Sequence, residues 1–178
     1  MSGCGCDSVK DKLTPYYEAL DNLLKAAIPT QETESLPVLE ALDRVLAAPL
    51  VSPIDVPPAD NSSMDGYAVN SKDVADRGEI RLPVSQRIAA GEVGEPLAPG
   101  TAARIFTGAP IPADADTVIM QEKVTVDGDD IIFTGPFARH TNVRFAAEDI
   151  AKGASVLNSG MRLRAQELGV AASIGYTR

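Results

Sequence analysis

The sequence has no tryptophan, one histidine and two cysteines among its 178 residues, and aromatic residues make up 4% of it. A single histidine, His140, excludes a multi-histidine metal centre. No cysteine, serine or second histidine lies near it to complete a nucleophilic site, so it reads as a surface or turn residue. The cysteines sit together in Ser2-Gly3-Cys4-Gly5-Cys6-Asp7. Two thiolates do not complete a tetrahedral site, and residues 1–12 read as a disordered tail. Lysine and arginine number 16 against 25 aspartates and glutamates, for a net charge of −9. That balance argues against nucleic acid, which requires a basic face to displace counterions. It also means that an anionic ligand needs a metal ion, a local arginine or backbone N–H groups to offset the field. No apolar run approaches the roughly 20 residues that span a bilayer, and the N-terminus lacks a basic-then-apolar leader. The expectation is a cytoplasmic protein with no membrane partner. Phosphate-binding glycine motifs of the Walker and dinucleotide types are missing. Too few basic residues flank Tyr16 and Tyr17 for a base-stacking platform, leaving them as core or partner contacts.

Proline and glycine are plentiful, at 13 and 14, and their distribution divides the chain. Before Leu50 the pattern is helical. Thr14 and Pro15 open a helix in which Leu20, Leu23, Leu24 and Ala27 recur at helical spacing. A second helix is expected from Ser35-Leu36-Pro37, with Leu39, Leu42, Val45 and Leu46 on one side and Pro49 ending it. From Leu50, turn residues recur every eight to twelve positions between β-branched runs, which marks an all-β unit. Strands are expected at 67–70, 80–85, 86–89 and 102–106. A hairpin should join 118–126 to 130–134 through Asp127-Gly128-Asp129. Short strands at 155–157 and 161–163 precede a helix at 165–174, closed by Gly175. The fold class is α+β: a β-rich, barrel-like domain at 54–141 inserted into a small mixed α/β domain made of 28–53 and 142–178, with an N-terminal helix at 13–27.

Three clusters carry the candidate chemistry. Asp60-Asn61-Ser62-Ser63-Met64-Asp65-Gly66-Tyr67-Ala68-Val69 sets two carboxylates, an amide and two hydroxyls within six residues on a turn-forming loop. Such oxygens suit a hard cation such as magnesium, or acid–base work, and equally an ordinary Asx-turn. Met64 in this loop reads as a packing residue. Arg104-Ile105-Phe106-Thr107-Gly108-Ala109-Pro110-Ile111-Pro112 delivers a hydroxyl and a free N–H from the end of a strand, as oxyanion recognition requires, or is a plain strand exit. The third cluster is Asn142-Val143-Arg144-Phe145-Ala146-Ala147-Glu148-Asp149-Ile150.

In order and nearly residue for residue, these clusters resemble the signature motifs of the molybdopterin molybdotransferases, the molybdenum insertases that include the E-domain of gephyrin. The resemblance rests on Pro57, Asp60 to Ser62, Met64 to Ala68, Val69 and Asp73. It continues through the threonine-glycine run to Asp116 and Glu122, and then through Asn142, Arg144, Glu148 and Asp149. It implies insertion of molybdate into adenylated molybdopterin with release of AMP, assisted by magnesium. It also implies a homodimer, supplied with adenylated molybdopterin by an adenylyltransferase partner. Carried over by position, Asp65, Thr107 and Asp149 would be catalytic, Asp65 would meet the magnesium, and Ser62, Gly108, Arg144 and Glu122 would bind substrate.

Two departures stand out. Ala147 replaces a glycine and Ala146 replaces a residue that is often basic, which puts the local loop geometry and anion contact in question. In the family a pterin-holding α/β domain follows the last helix, so residues 1–178 are expected to hold part of a site and to be inactive alone. The first helix, which packs on that domain in the family, would lack its partner surface. A different class of reading is a non-catalytic dimerisation or scaffolding module of the gephyrin type.

Overall fold

The computed structural model describes residues 13–75 and 78–178, and Cys4, Cys6 and the expected tail lie outside them. The chain divides into two units, residues 1–35 and 36–178. In the first, α1 (Tyr16–Ala26) forms as the leucine spacing requires. It starts later than expected because Pro15, whose carbonyl accepts from Ala19 N–H at 2.9 Å, takes the cap position and no side chain caps the end. None of its residues is buried. Tyr16 and Tyr17 are exposed rather than core, and meet ring edge to face at 5.2 Å.

The second unit is built on a mixed six-stranded sheet. Its strands are β3 (Gly66–Val69), β4 (Glu79–Ile88), β5 (Ala102–Ile105), β6 (Thr117–Met120), β7 (Thr125–Asp127) and β8 (Asp130–Thr134), in the order β6-β3-β5-β4-β8-β7. All neighbours are antiparallel except β4 and β5. Strand alternation sends side chains to both faces. Tyr67, Val69, Leu82, Ile119, Ile131 and Phe133 share one buried cluster, and Ala68, Ile88, Ala103, Ile105 and Val118 share the other. Both faces are therefore covered, which suits β3 and β6, whose short runs are largely apolar and buried.

The two strands expected at 80–85 and 86–89 are one strand. Proline in a strand usually marks an edge. Pro83 is tolerated because β4 changes partner there: residues 79–83 pair with β8, and pairing with β5 begins at Val84. The strand expected over 118–126 is broken by a single 3-10 turn at Gln121–Lys123, and its second half forms the β7–β8 hairpin around Gly128 at φ 64°. An Asp-Gly turn supplies that left-handed position without Cβ strain.

The second helix does not form. Val38–Glu40 make one 3-10 turn, Asp43 has φ 66°, and the backbone then runs beside the C-terminal segment. Asp43 N–H donates to Leu163 O at 2.7 Å, Leu163 N–H to Arg44 O at 2.7 Å, and Leu46 N–H to Met161 O at 2.9 Å. These cross-chain bonds replace the intrahelical ones that the leucine spacing suggested, and Leu39 is left exposed. The expected strand at 161–163 accordingly reduces to an isolated bridge between Arg162 and Val45. Nearby, β1 (Leu50–Val51) pairs antiparallel with β10 (Ser155–Leu157). The closing helix α2 (Ala165–Ser173) forms as expected, followed by Gly175 at φ 94°.

Two outcomes follow from this packing. A Cβ on Gly66 would overlap the carbonyl oxygen of Ile119 and lie 2.9 Å from its carbon. Gly66→Ala should therefore lower unfolding stability by about 3 kcal/mol in urea titration, since backbone of the neighbouring strand cannot give way. Glu167, buried at the start of α2, accepts Arg164 Nη2 at 2.6 Å, Arg164 Nε at 3.1 Å and the Arg164 backbone N–H at 2.9 Å. The Arg164 side chain first, and then its backbone, draw the Glu167 carboxyl from 4.5 down to about 2. Because the folded value lies below the unfolded one, the stabilisation is complete above about pH 4.5 and is lost as pH falls towards 2. Thermal melts of Glu167→Gln should show a lower midpoint at neutral pH and a shallower acid dependence across that window.

Candidate functional site

The loop before β3 is shaped by its own polar side chains. Ser62 Oγ donates to Met64 O at 2.6 Å and accepts from Met64 N–H at 3.3 Å, which curls the chain and turns Asp65 toward β5. Asp65 Oδ1 accepts both the backbone N–H and the hydroxyl of Thr107, each at 2.8 Å. The Thr107 backbone and then its hydroxyl, with a smaller contribution from Arg104, hold the Asp65 carboxyl below the ordinary aspartate range. One carboxylate oxygen is thus fixed by two donors, and the group stays ionised through the physiological range.

Further bonds join the two clusters. Gly108 N–H donates to Ser62 O at 2.8 Å, and Ser62 N–H to Ala109 O at 3.0 Å. Gly108 has φ 81°, a conformation in which glycine carries no Cβ strain and its N–H can turn back toward the Ser62 loop. Gln121 N–H donates to Asp65 O at 3.0 Å, tying the loop to the end of β6.

The third cluster reaches the first through a two-stranded ladder. Strand β2 (Asn61–Ser62) pairs antiparallel with β9 (Val143–Arg144), with Asn61 opposite Arg144 and Ser62 opposite Val143. Asn142 Nδ2 donates to Val118 O at 2.9 Å, and Ser63 N–H to Asn142 O at 3.0 Å. Arg144 then binds Asp149 Oδ1 at 2.7 Å and Glu148 Oε1 at 3.5 Å. Asp60 Oδ1 accepts the Ala146 N–H at 2.8 Å. Ala147, which stands where the resemblance leads one to expect glycine, has φ 63°, so the position is left-handed and the alanine carries the strain.

Of the residues singled out from the sequence, Asp65 and Thr107 meet directly, Ser62 and Gly108 meet through backbone, and Arg144 joins them across β2–β9. Among the described residues Asp149 bonds to Arg144 and to the Val56 carbonyl, and has no hydrogen bond or ion pair to Asp65 or Thr107. Glu122 lies in the 3-10 turn after β6, where its carboxylate accepts from the neighbouring Gln121 amide and, among the described residues, from no other donor. His140 occupies a turn at φ 67°, and its ring meets Phe145 edge to face at 5.0 Å. No three histidine, cysteine, aspartate or glutamate side chains cluster for a metal among the described residues. None of the helices there is long and apolar enough to cross a membrane.

The sequence and the fold both have known counterparts. A sequence profile for the MoeA N-terminal region (domain I and II) matches residues 14–175. The chain belongs to the MoeA N-terminal family. Similar curated proteins include the molybdopterin molybdenumtransferase of Synechococcus elongatus, 41% identical over 168 residues, which are 90% of this chain and 41% of that protein. The enzyme of the same name from Haemophilus influenzae is 42% identical over 149 residues, or 83% of this chain and 36% of that protein. The crystal structure of the molybdopterin biosynthesis MoeA protein from Pyrococcus horikoshii OT3 matches with a TM-score of 0.88 at 39% identity, over 93% of this chain and 45% of that one. This MoeA N-terminal chain therefore spans about two fifths of the length of the curated relatives it matches.

Arg104 opens the second cluster in the sequence, where its residue type does not mark it as a site residue. Its Nη1 donates to Gly66 O at 2.9 Å and its Nη2 to Gln121 Oε1 at 2.7 Å, which holds a positive charge beside Asp65. The available signal was its position two residues before Phe106, on the same face of β5.

The strain at Ala147 gives a direct test. Ala147→Gly relieves a left-handed Cβ contact and should raise the stability measured by urea unfolding by about 1 kcal/mol, despite the added chain entropy of glycine.

Proposed function

We propose that this chain supplies the N-terminal part of an enzyme of molybdenum cofactor biosynthesis, which inserts molybdate into adenylated molybdopterin and releases AMP. The observation that carries the reading is the double clasp of Asp65 Oδ1 by Thr107. It joins two family motifs from far-apart segments and fixes an ionised carboxylate with a hydroxyl and a backbone N–H beside it. The printed names of the relatives from Synechococcus and Haemophilus, molybdopterin molybdenumtransferase, support the reaction class.

In this reading Asp65 acts at the molybdate side, Thr107 positions Asp65 and the ligand, and Asp149 supports the cleft by orienting Arg144. Arg144 and Glu122 bind substrate directly, and Ser62 and Gly108, whose hydroxyl and N–H are taken up within the loop, contribute to substrate binding through the shape they give it. The donor set fits magnesium shared with a substrate, since that ion is usually held by one or two carboxylates together with phosphate oxygens rather than by a protein cage. Asp65 would hold it, and when bound it would offset charge where molybdate, phosphate and carboxylate crowd together. The reading extends to a cytoplasmic homodimer served by an adenylyltransferase. It also extends to an inserted domain at 54–141 between 28–53 and 142–178, a division supported by the β1–β10 pairing.

Asp65→Asn in the full-length protein keeps an oxygen acceptor for Thr107 but removes the charge. AMP release coupled to molybdate insertion should fall about 100-fold or more, with the thermal midpoint unchanged. Activity within about twofold of wild type would overturn the reading. The 178-residue chain by itself is expected to release no AMP in the same assay.

A further inference from the structure

Several arginines among the described residues are matched by carboxylates. Arg81, Arg139, Arg144, Arg162 and Arg164 each hold a carboxylate. Arg87 and Arg104 differ. They stand opposite one another in the parallel β4–β5 ladder, and among the described residues neither has a carboxylate within ion-pair distance. Both guanidinium carbons lie 4.5 Å from the centre of the Phe106 ring, and that of Arg104 also lies 5.2 Å from the Tyr67 ring. Like charges on adjacent strands repel one another, and contact with a common aromatic ring offsets that only in part. On a chain of net charge −9, such a pair is a local reversal of the field.

Its position gives the reversal a use. Phe106 immediately precedes Thr107, whose hydroxyl and N–H hold Asp65. Arg104 is held in place by Gly66 O and Gln121 Oε1, whereas the Arg87 side chain is exposed and donates no hydrogen bond among the described residues. A guanidinium presents planar, paired N–H donors suited to oxyanions; stacking leaves those of Arg87 available, and Arg104, with one bond given from each Nη, keeps its remaining N–H groups.

We propose that Arg87 and Arg104, gathered on the Phe106 ring, form a binding site for a tetrahedral oxyanion beside the Asp65–Thr107 clasp. Phosphoryl and molybdate oxygens share the chemistry that this site recognises. That the anion belongs to the adenylated pterin or to molybdate rests on the function proposed above, but the existence of the site does not.

The test uses the 178-residue chain at low ionic strength, titrated separately with AMP, adenosine, inorganic phosphate and molybdate by calorimetry or amide chemical shifts. At least one oxyanion should bind, adenosine should not, and high salt should abolish the signal. Arg87→Gln should weaken that binding about tenfold. Arg81→Gln, on the same strand with the same change in net charge but with its charge committed to Asp127 and Asp130, should leave it unchanged. Preference for AMP and phosphate assigns the pair to the phosphoryl group, and preference for molybdate assigns it to the metal oxyanion. The proposal is overturned if no oxyanion binds, if Arg87→Gln binds like wild type, if Arg81→Gln is equally weakened, or if adenosine binds as well as AMP. These readouts require no turnover, so their failure is separable from failure of the Asp65→Asn assay.

Discussion

Gly66 leaves no room for a side chain between β3 and β6, and the site inherits its geometry from that contact. Because the strand can approach the Ile119 carbonyl so closely, Gly66 pairs with Met120 on one side and with Ile105 on the other. The residue before it, Asp65, is thereby set at the end of two ladders, with its carbonyl accepting from Gln121 and its carboxylate reaching the residues just beyond β5. Backbone pairing, rather than the flexibility of a loop, decides where this carboxylate lies. Sites carried on the ends of paired strands keep their geometry better than sites on free loops.

The polar groups of the site are arranged so that each holds another. Ser62 curls its own loop, Gly108 and Ala109 bind the Ser62 backbone, Thr107 fixes Asp65, and Arg104 connects Gly66 with Gln121. Thr107 is exposed and Asp65 partly so, hence the clasp contributes orientation more than stability. An ionised oxygen held by two donors has little freedom to rotate, which is the kind of preorganisation that charge-stabilising sites rely on.

How far the sequence disclosed this depends on whether the signal was local. The β7–β8 hairpin was legible because Asp-Gly specifies its own turn, and α2 because its spacing and terminal glycine agree. The segment from Leu36 to Pro49 misled because its leucines imitate a helical stripe while the backbone bonds go to residues 161–163 and 177, which no local window contains. The division expected between Ser85 and Gln86 is absent for a related reason: β4 runs on as one strand because it changes partner, which is a property of the sheet. The three clusters were visible as residue types, and their joining by Thr107 and by β2–β9 was not. The Arg87–Arg104 neighbourhood depends on parallel register alone, so no spacing in the chain announces it.

The β2–β9 ladder ties Asn61 and Ser62 to Val143 and Arg144, which are separated by most of the β-rich sequence. Such distant pairings are slow to form, because the loop they close must be ordered before they contribute anything. During synthesis, the loop around Asp65 leaves the ribosome long before the strand that completes its surroundings. A nascent chain halted before residue 142 would carry every oxygen of the first two clusters and still lack the strand that pairs with Asn61 and Ser62, so maturation of the site is coupled to completion of this unit rather than to emergence of its most conspicuous residues.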